Sequence, residues 1–101
     1  MTPRESATET RLTRAVRRAG ALTFKLAPTT AGIPDRIVVW PIGVVDFVEV
    51  KADDGRLSPI QRRRISDLRE NGASVHVVYG HDGVDDYVSG RIADLDLPLA
   101  R

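Results

Sequence analysis

Two β-branched runs, Val44–Lys51 and Ser74–Tyr79, bracket a segment that opens with Ser58-Pro-Ile-Gln61 and closes at Gly72. The bracketed segment carries the marks of a helix: serine as N-cap, proline in the first turn, glutamine three residues on and glycine after the last turn. Ile60, Ile65 and Leu68 supply its inner side, while Arg62, Arg63, Arg64 and Arg69 are mostly solvated. A strand, a helix of this length and a second strand suit a crossover between parallel neighbours. That constraint sets the frame for the remaining elements.

Upstream, Ser6-Ala-Thr-Glu9 fits a capping box with Ser6 as N-cap, and the helix is expected to run to about Ala19 and stop at Gly20. Leu12, Ala15, Val16 and Ala19 form one apolar stripe, with Arg11, Arg14, Arg17 and Arg18 mostly opposite. Ala21–Ala27 reads as a strand with Leu22, Phe24 and Leu26 on one face and Thr23 and Lys25 on the other. Residues 28–34 are a loop, Asp35–Trp40 a second strand and Pro41–Gly43 a turn into Val44–Lys51. Residues 52–56 form a polar turn. After Tyr79, Gly80–Gly83 breaks the chain, and Val84–Ser89 fits a short helix or a strand equally. The tail Asp94–Arg101, with Leu95, Leu97 and Leu99, suits docking on the core or on a second subunit. The order helix, three strands, helix, strand is an α/β architecture: one domain over residues 1–101, with a central mixed sheet flanked by helices.

A chain of 101 residues, 42% apolar and 29% charged, can bury one small core. It has no cysteine, which excludes disulfides and thiolate metal sites. No apolar run is long enough to cross a bilayer and the N-terminus has no signal-like apolar region, so a cytoplasmic location is expected. The net charge of +1 is unevenly spread: residues 1–36 carry seven basic and three acidic side chains, residues 82–101 two basic and five acidic. A basic front half suits a polyanionic partner, or is simply a solvated helix face.

The third strand ends in Glu49-Val-Lys51, and alternation puts Phe47, Glu49 and Lys51 on one face. Charges at the end of an apolar strand need partners. Asp35, at the start of the neighbouring strand, can reach them across the hairpin. Two carboxylates with the Val50 carbonyl make an all-oxygen set of the kind Mg²⁺ prefers, and Lys51 can steady developing negative charge beside it. The plainer alternative is a Glu49–Lys51 ion pair at an exposed strand end. Glu9 borders the apolar stripe of the first helix, either as the acid of its capping box or as an acid leaning over a site. His76 and His81 lack the spacing of a zinc site, serine and cysteine nucleophile sets are missing, and Trp40, Tyr79 and Tyr87 read as packing residues.

Asp35 with its preceding Pro34, followed by Glu49-Val-Lys51, resembles the PD-(D/E)xK pattern of restriction-endonuclease-like nucleases, whose αβββαβ core has the element order given above. Gly32-Ile-Pro-Asp-Arg36, Phe47-Val-Glu-Val-Lys51 and Gly55-Arg-Leu-Ser-Pro-Ile-Gln61 together resemble the VRR-NUC family in its small stand-alone form, common in phages and bacteria. The resemblance implies a divalent-metal-dependent DNA endonuclease using Mg²⁺ or Mn²⁺, acting on branched DNA in the manner of a Holliday-junction resolvase and working as a homodimer. It implies Asp35, Glu49 and the Val50 carbonyl as metal ligands, with Glu9 as a further acid from the first helix and Glu5 as the less favoured alternative. It implies Lys51 as the catalytic lysine and Gln61 as a supporting residue. Lys25, Arg36, Arg56, Arg62 and Arg63 lie near the motif and are candidates for DNA phosphate contacts. A catalytically silent DNA-binding or structural subunit on the same fold is the rival expectation. Asp53-Asp54 departs from the family pattern by adding acids close to the lysine.

Overall fold

The computed structural model of the protein describes residues 3–98. Helix α1 (Pro3–Arg18) leads into strands β1 (Leu22–Lys25), β2 (Arg36–Val39) and β3 (Val45–Lys51). Helix α2 (Pro59–Glu70), strand β4 (Ser74–Tyr79) and helix α3 (Gly80–Asp94) follow. The four strands form one mixed sheet in sequence order, with β1–β2 and β2–β3 antiparallel and β3–β4 parallel. The α2 crossover thus does what the sequence pattern requires. Its capping box is formed: Ser58 Oγ accepts from the Gln61 N–H at 3.2 Å, and Gln61 Oε1 accepts from the Ser58 N–H at 2.9 Å. Ile65 is buried, but Ile60 is exposed, so the inner side of α2 is narrower than expected.

The N-terminal capping box is not formed. Helix α1 begins at Pro3, whose fixed φ suits a first helical turn, and Ser6 lies inside the helix. The buried Thr8 hydroxyl, one turn further on, donates back to the Arg4 carbonyl at 2.9 Å. The apolar stripe is as expected: Leu12 and Val16 are fully buried, each worth about 2 kcal/mol of transfer free energy.

One sheet face, carrying Val38, Val48, Val50 and Val78, packs under α1 and α3 and holds the core. Helix α3 corrects a second expectation. The glycines at positions 80 and 83 do not break the chain there; β4 turns directly into helix. Val84, Tyr87 and Val88 recur at helical spacing and are buried against the core, and this outweighs the intrinsic penalty of about 1 kcal/mol for glycine in a helix. Leu95 and Leu97 continue the packing, so the tail docks on the core as far as it is described; Leu99 lies outside the described residues.

Below α3 sits a carboxylate that the sequence pattern does not announce. Asp46 has no exposed surface and accepts from Arg91 at 2.6 and 2.9 Å, Tyr87 at 2.6 Å, Trp40 Nε1 at 3.0 Å and Ser74 at 2.7 Å. Burial by itself would raise its pKa, but hydrogen bonds from Arg91, Tyr87 and Ser74 outweigh burial and hold it at about 2. This network ties α3 to β3, β4 and Trp40, which follows β2.

On the opposite sheet face α2 covers the β4 side. The β1–β2 side is not covered by any described element. Leu22 is 59% exposed and Phe24 56%, with Val45 also exposed, while the polar Thr23 points inward and is buried. The alternation of β1 is therefore as the sequence indicates, but its apolar face is the outer one.

Candidate active site

Strand β3 outruns β2. The last β2 partner, Arg36, pairs with Val48, whereas Glu49, Val50 and Lys51 pair only with β4. The Val50 N–H, which a longer β2 would have taken up, donates to Asp35 Oδ2 at 2.8 Å. In a strand the N–H and C=O of one residue point to the same side, so the Val50 carbonyl faces the Asp35 side too.

Asp35 is held there by its loop. Gly32 adopts φ +78°, in the left-handed region, and a Cβ at this position would overlap the Ile60 carbonyl and lie 3.2 Å from the Gln61 nitrogen. Only glycine meets both the conformational and the steric demand. The loop thus rests on the first turn of α2. Gln61 in that turn uses its two polar atoms separately: Oε1 completes the capping box, and Nε2 donates to Glu49 Oε2 at 3.3 Å.

Glu49 is 2% exposed. Its Oε2 has Gln61 and, at 3.5 Å, Lys51 Nζ. Its Oε1 is buried without a hydrogen-bond partner among the described residues. Burial, then the charge of Asp35, push the pKa of Glu49 up to about 7, with Lys51 only partly opposing them. A buried carboxylate oxygen without a partner is costly. The site is therefore short of positive charge at one defined point, between two carboxylates and a backbone carbonyl, and a hard divalent cation fits such a donor set. Among the described residues no set of three or more His, Cys, Asp or Glu side chains is placed to hold one ion. Water and phosphate oxygens would have to complete the shell.

Lys51 is buried, 3.5 Å from Glu49 and 4.0 Å from Glu5 Oε1. Glu5 is thus the first-helix acid at this end of the sheet. Glu9, expected over the metal, lies one turn further along α1, with Oε2 2.8 Å from Arg36 and Oε1 3.5 Å from Lys25. The reason is the helix start: with α1 beginning at Pro3, Glu5 is inside the helix and one turn nearer to Lys51. Arg36 is placed differently as well. It is buried, donating to Glu9 at 2.8 Å and to Thr23 Oγ1 at 3.1 Å, and is not presented for phosphate contact. Arg56, Arg62 and Arg63 are exposed, with Arg63 paired to Asp67 at 3.3 Å, and Lys25 keeps 60% of its side chain exposed. The two acids after the lysine are engaged elsewhere: Asp54 pairs with Arg4 at 2.9 Å, and the Asp53 carboxylate abuts Gly80, where a Cβ would overlap it.

The fold and this constellation define a nuclease-type α/β domain with its acids and lysine at the ragged end of a mixed sheet. Comparison with known proteins gives the same class. The VRR-NUC domain profile matches residues 3–82. A curated protein named "Putative nuclease p44", from Acyrthosiphon pisum secondary endosymbiont phage 1, is 36% identical over 80 residues, covering 78% of this chain and 86% of that protein. A solved structure of a VRR_NUC domain superposes with a TM-score of 0.79 at 28% identity, covering 87% of this chain and 97% of the other. The chain belongs to the VRR-NUC family of nuclease domains.

Proposed function

We propose that the protein is a Mg²⁺- or Mn²⁺-dependent DNA endonuclease. The observation that carries this reading is the buried, partnerless Glu49 oxygen facing Asp35 beside a buried lysine. Asp35, Glu49 and the Val50 carbonyl would hold the cation, with Glu5 rather than Glu9 as the acid at hand from α1. When bound, such a cation makes water more acidic and offsets negative charge on phosphate oxygens. Gln61 fixes the rotamer of Glu49. Lys51, held between Glu49 and Glu5, presents its ammonium to the negative charge that builds up on the phosphate. Water attacks phosphorus in line with the departing oxygen. One P–O bond forms as another breaks, leaving a phosphomonoester and a hydroxyl.

Branched DNA as the preferred substrate rests on the family resemblance, and it calls for two sites acting on two strands. A homodimer supplies them. The uncovered apolar face of β1 with Leu22 and Phe24 supports self-association through that face. Phe24→Ser is expected to shift the protein from dimer to monomer in sedimentation analysis.

The test of the activity is a cleavage panel over linear duplex, single strand, flap and four-way junction with Mg²⁺ or Mn²⁺. Lys51→Ala is expected to bind DNA and not cut it. Cleavage by that variant at the wild-type rate removes the role given to the lysine. Wild-type protein that binds every substrate and cuts none supports the silent-module alternative.

A further inference from the structure

We propose that the groove between α1 and the β1–β2 hairpin carries the DNA phosphate backbone away from the reacting phosphodiester, gripped by Arg14, Arg17 and Lys25. The inference rests on the nuclease reading of the site and adds the path of the substrate across the protein.

The groove encloses about 500 Å³ and runs along α1 from Ser6 to Arg17, with Lys25 on its other wall and Arg36 in its floor. It neighbours the active site along the chain at two points. Ser6 follows Glu5, which lies 4.0 Å from Lys51. Arg36 follows Asp35, whose carboxylate holds the Val50 N–H. A strand leaving the reacting phosphate is placed in this groove.

Its charge is suited to a polyanion. Four cationic side chains and one carboxylate line it. Glu9, the carboxylate, is matched by Arg36 at 2.8 Å, and both are buried in the floor. Arg14 and Arg17 remain unmatched on the open walls, with Lys25, also 3.5 Å from Glu9, adding to the net positive charge, and all three are exposed. Arg14 and Arg17 are three residues apart on α1, about 4.5 Å along the helix axis. Neighbouring phosphates of one strand are about 3.4 Å apart along a duplex axis, so the two guanidiniums can reach successive phosphates.

Several other arginines are less available, while Arg18, Arg56 and Arg62 are exposed as Arg14 and Arg17 are but lie outside this groove. On α1, Arg11 is held by Asp85 through two bonds of 2.9 Å, and Arg4 by Asp54 at 2.9 Å. On α2, Arg63 and Arg64 share Asp67, and Arg64 also donates to the Ala31 carbonyl at 3.2 Å. Among the described residues Arg14 and Arg17 have no such acid. The proposed grip keeps Lys25 from the sequence candidates and adds Arg14 and Arg17 of the first helix, where the sequence pattern had also pointed to Arg36, Arg56, Arg62 and Arg63.

The experiment is a binding titration of fluorescein-labelled duplex and four-way junction by fluorescence anisotropy, in EDTA, across a series of KCl concentrations. Arg14→Gln/Arg17→Gln is expected to weaken binding about tenfold at about 0.1 M salt and to reduce the slope of log K against log[salt] by about 2. In metal-activated cleavage the same loss falls on KM rather than on kcat. Wild-type affinity and salt slope in the double variant overturn the proposal, as does a larger loss from Arg62→Gln/Arg63→Gln. Lys51→Ala separates this from the activity: if it cuts DNA while the groove variant loses binding, the catalytic assignment fails and the groove stands. If Lys51→Ala is inactive and the groove variant binds as wild type, the reverse holds.

Discussion

Replacing Glu49 by glutamine is expected to stabilise the metal-free protein while destroying its response to metal. The folded state holds the Glu49 proton more tightly than the unfolded chain does, with a pKa of about 7 against an ordinary 4.5, because the carboxylate is buried opposite Asp35 with one oxygen unpartnered. For a carboxyl raised in this way, stability is greatest below pH 4.5 and falls as pH climbs from 4.5 to 7. Above pH 7 the full penalty, about 3 kcal/mol, is present. Glutamine mimics the protonated form, keeps the bond from Gln61 and never ionises. Thermal unfolding in EDTA should therefore give similar midpoints for the two proteins below pH 4.5. At pH 8 the variant's midpoint should be higher by about 12–24 °C, since 1 kcal/mol corresponds to about 4–8 °C in a chain of this size. Adding Mg²⁺ or Mn²⁺ should then raise the wild-type midpoint, because binding to the folded state alone stabilises it, and leave the variant's unchanged. A variant no more stable than wild type at pH 8 in EDTA would refute the idea that the site is short of positive charge.

Three further outcomes follow from the geometry. Gly32→Ala should cost at least about 2 kcal/mol in urea unfolding, from the positive φ and the overlap with the Ile60 carbonyl, and should lower cleavage by moving Asp35 relative to Gln61. The Asp46 carboxyl, held at about 2 against an ordinary 3.8, should contribute about 2 kcal/mol above pH 3.8 that is lost as pH falls from 3.8 to 2; Asp46→Asn should remove this acid limb of the stability profile. Glu9→Gln should lower stability by breaking the buried pair with Arg36, whereas Glu5→Gln should lower cleavage with little change in the melting midpoint; the opposite pattern would return Glu9 to the site.

What the sequence discloses is mostly what is local. The Ser58–Gln61 box forms because its partners are three residues apart and proline opens the helix. The similar Ser6–Glu9 box does not, because Pro3 starts the helix earlier, and this one-turn advance exchanges the roles of Glu5 and Glu9. The alternation of β1 identifies its two faces but not which of them meets the core. That choice is made by α1, whose Glu9 draws Arg36 and Lys25 to its side of the sheet. Helix α3 is hidden by the glycines at positions 80 and 83, and Asp46 reads as one more polar residue in an apolar strand. Its partners Trp40, Ser74, Tyr87 and Arg91 are scattered over more than half the chain, and only the fold collects them.

Strand β3 holds two buried acids three residues apart, on opposite faces of the sheet, Asp46 filled and Glu49 open. The two make contrary demands on any population of variants. A library sorted for heat resistance alone should discard the acid at position 49 and keep the one at 46. Sorting the same library for DNA cutting should keep both. The ratio of substitution frequencies at these two positions would report, in one sequencing run, how much folding free energy this strand gives up to hold its site ready.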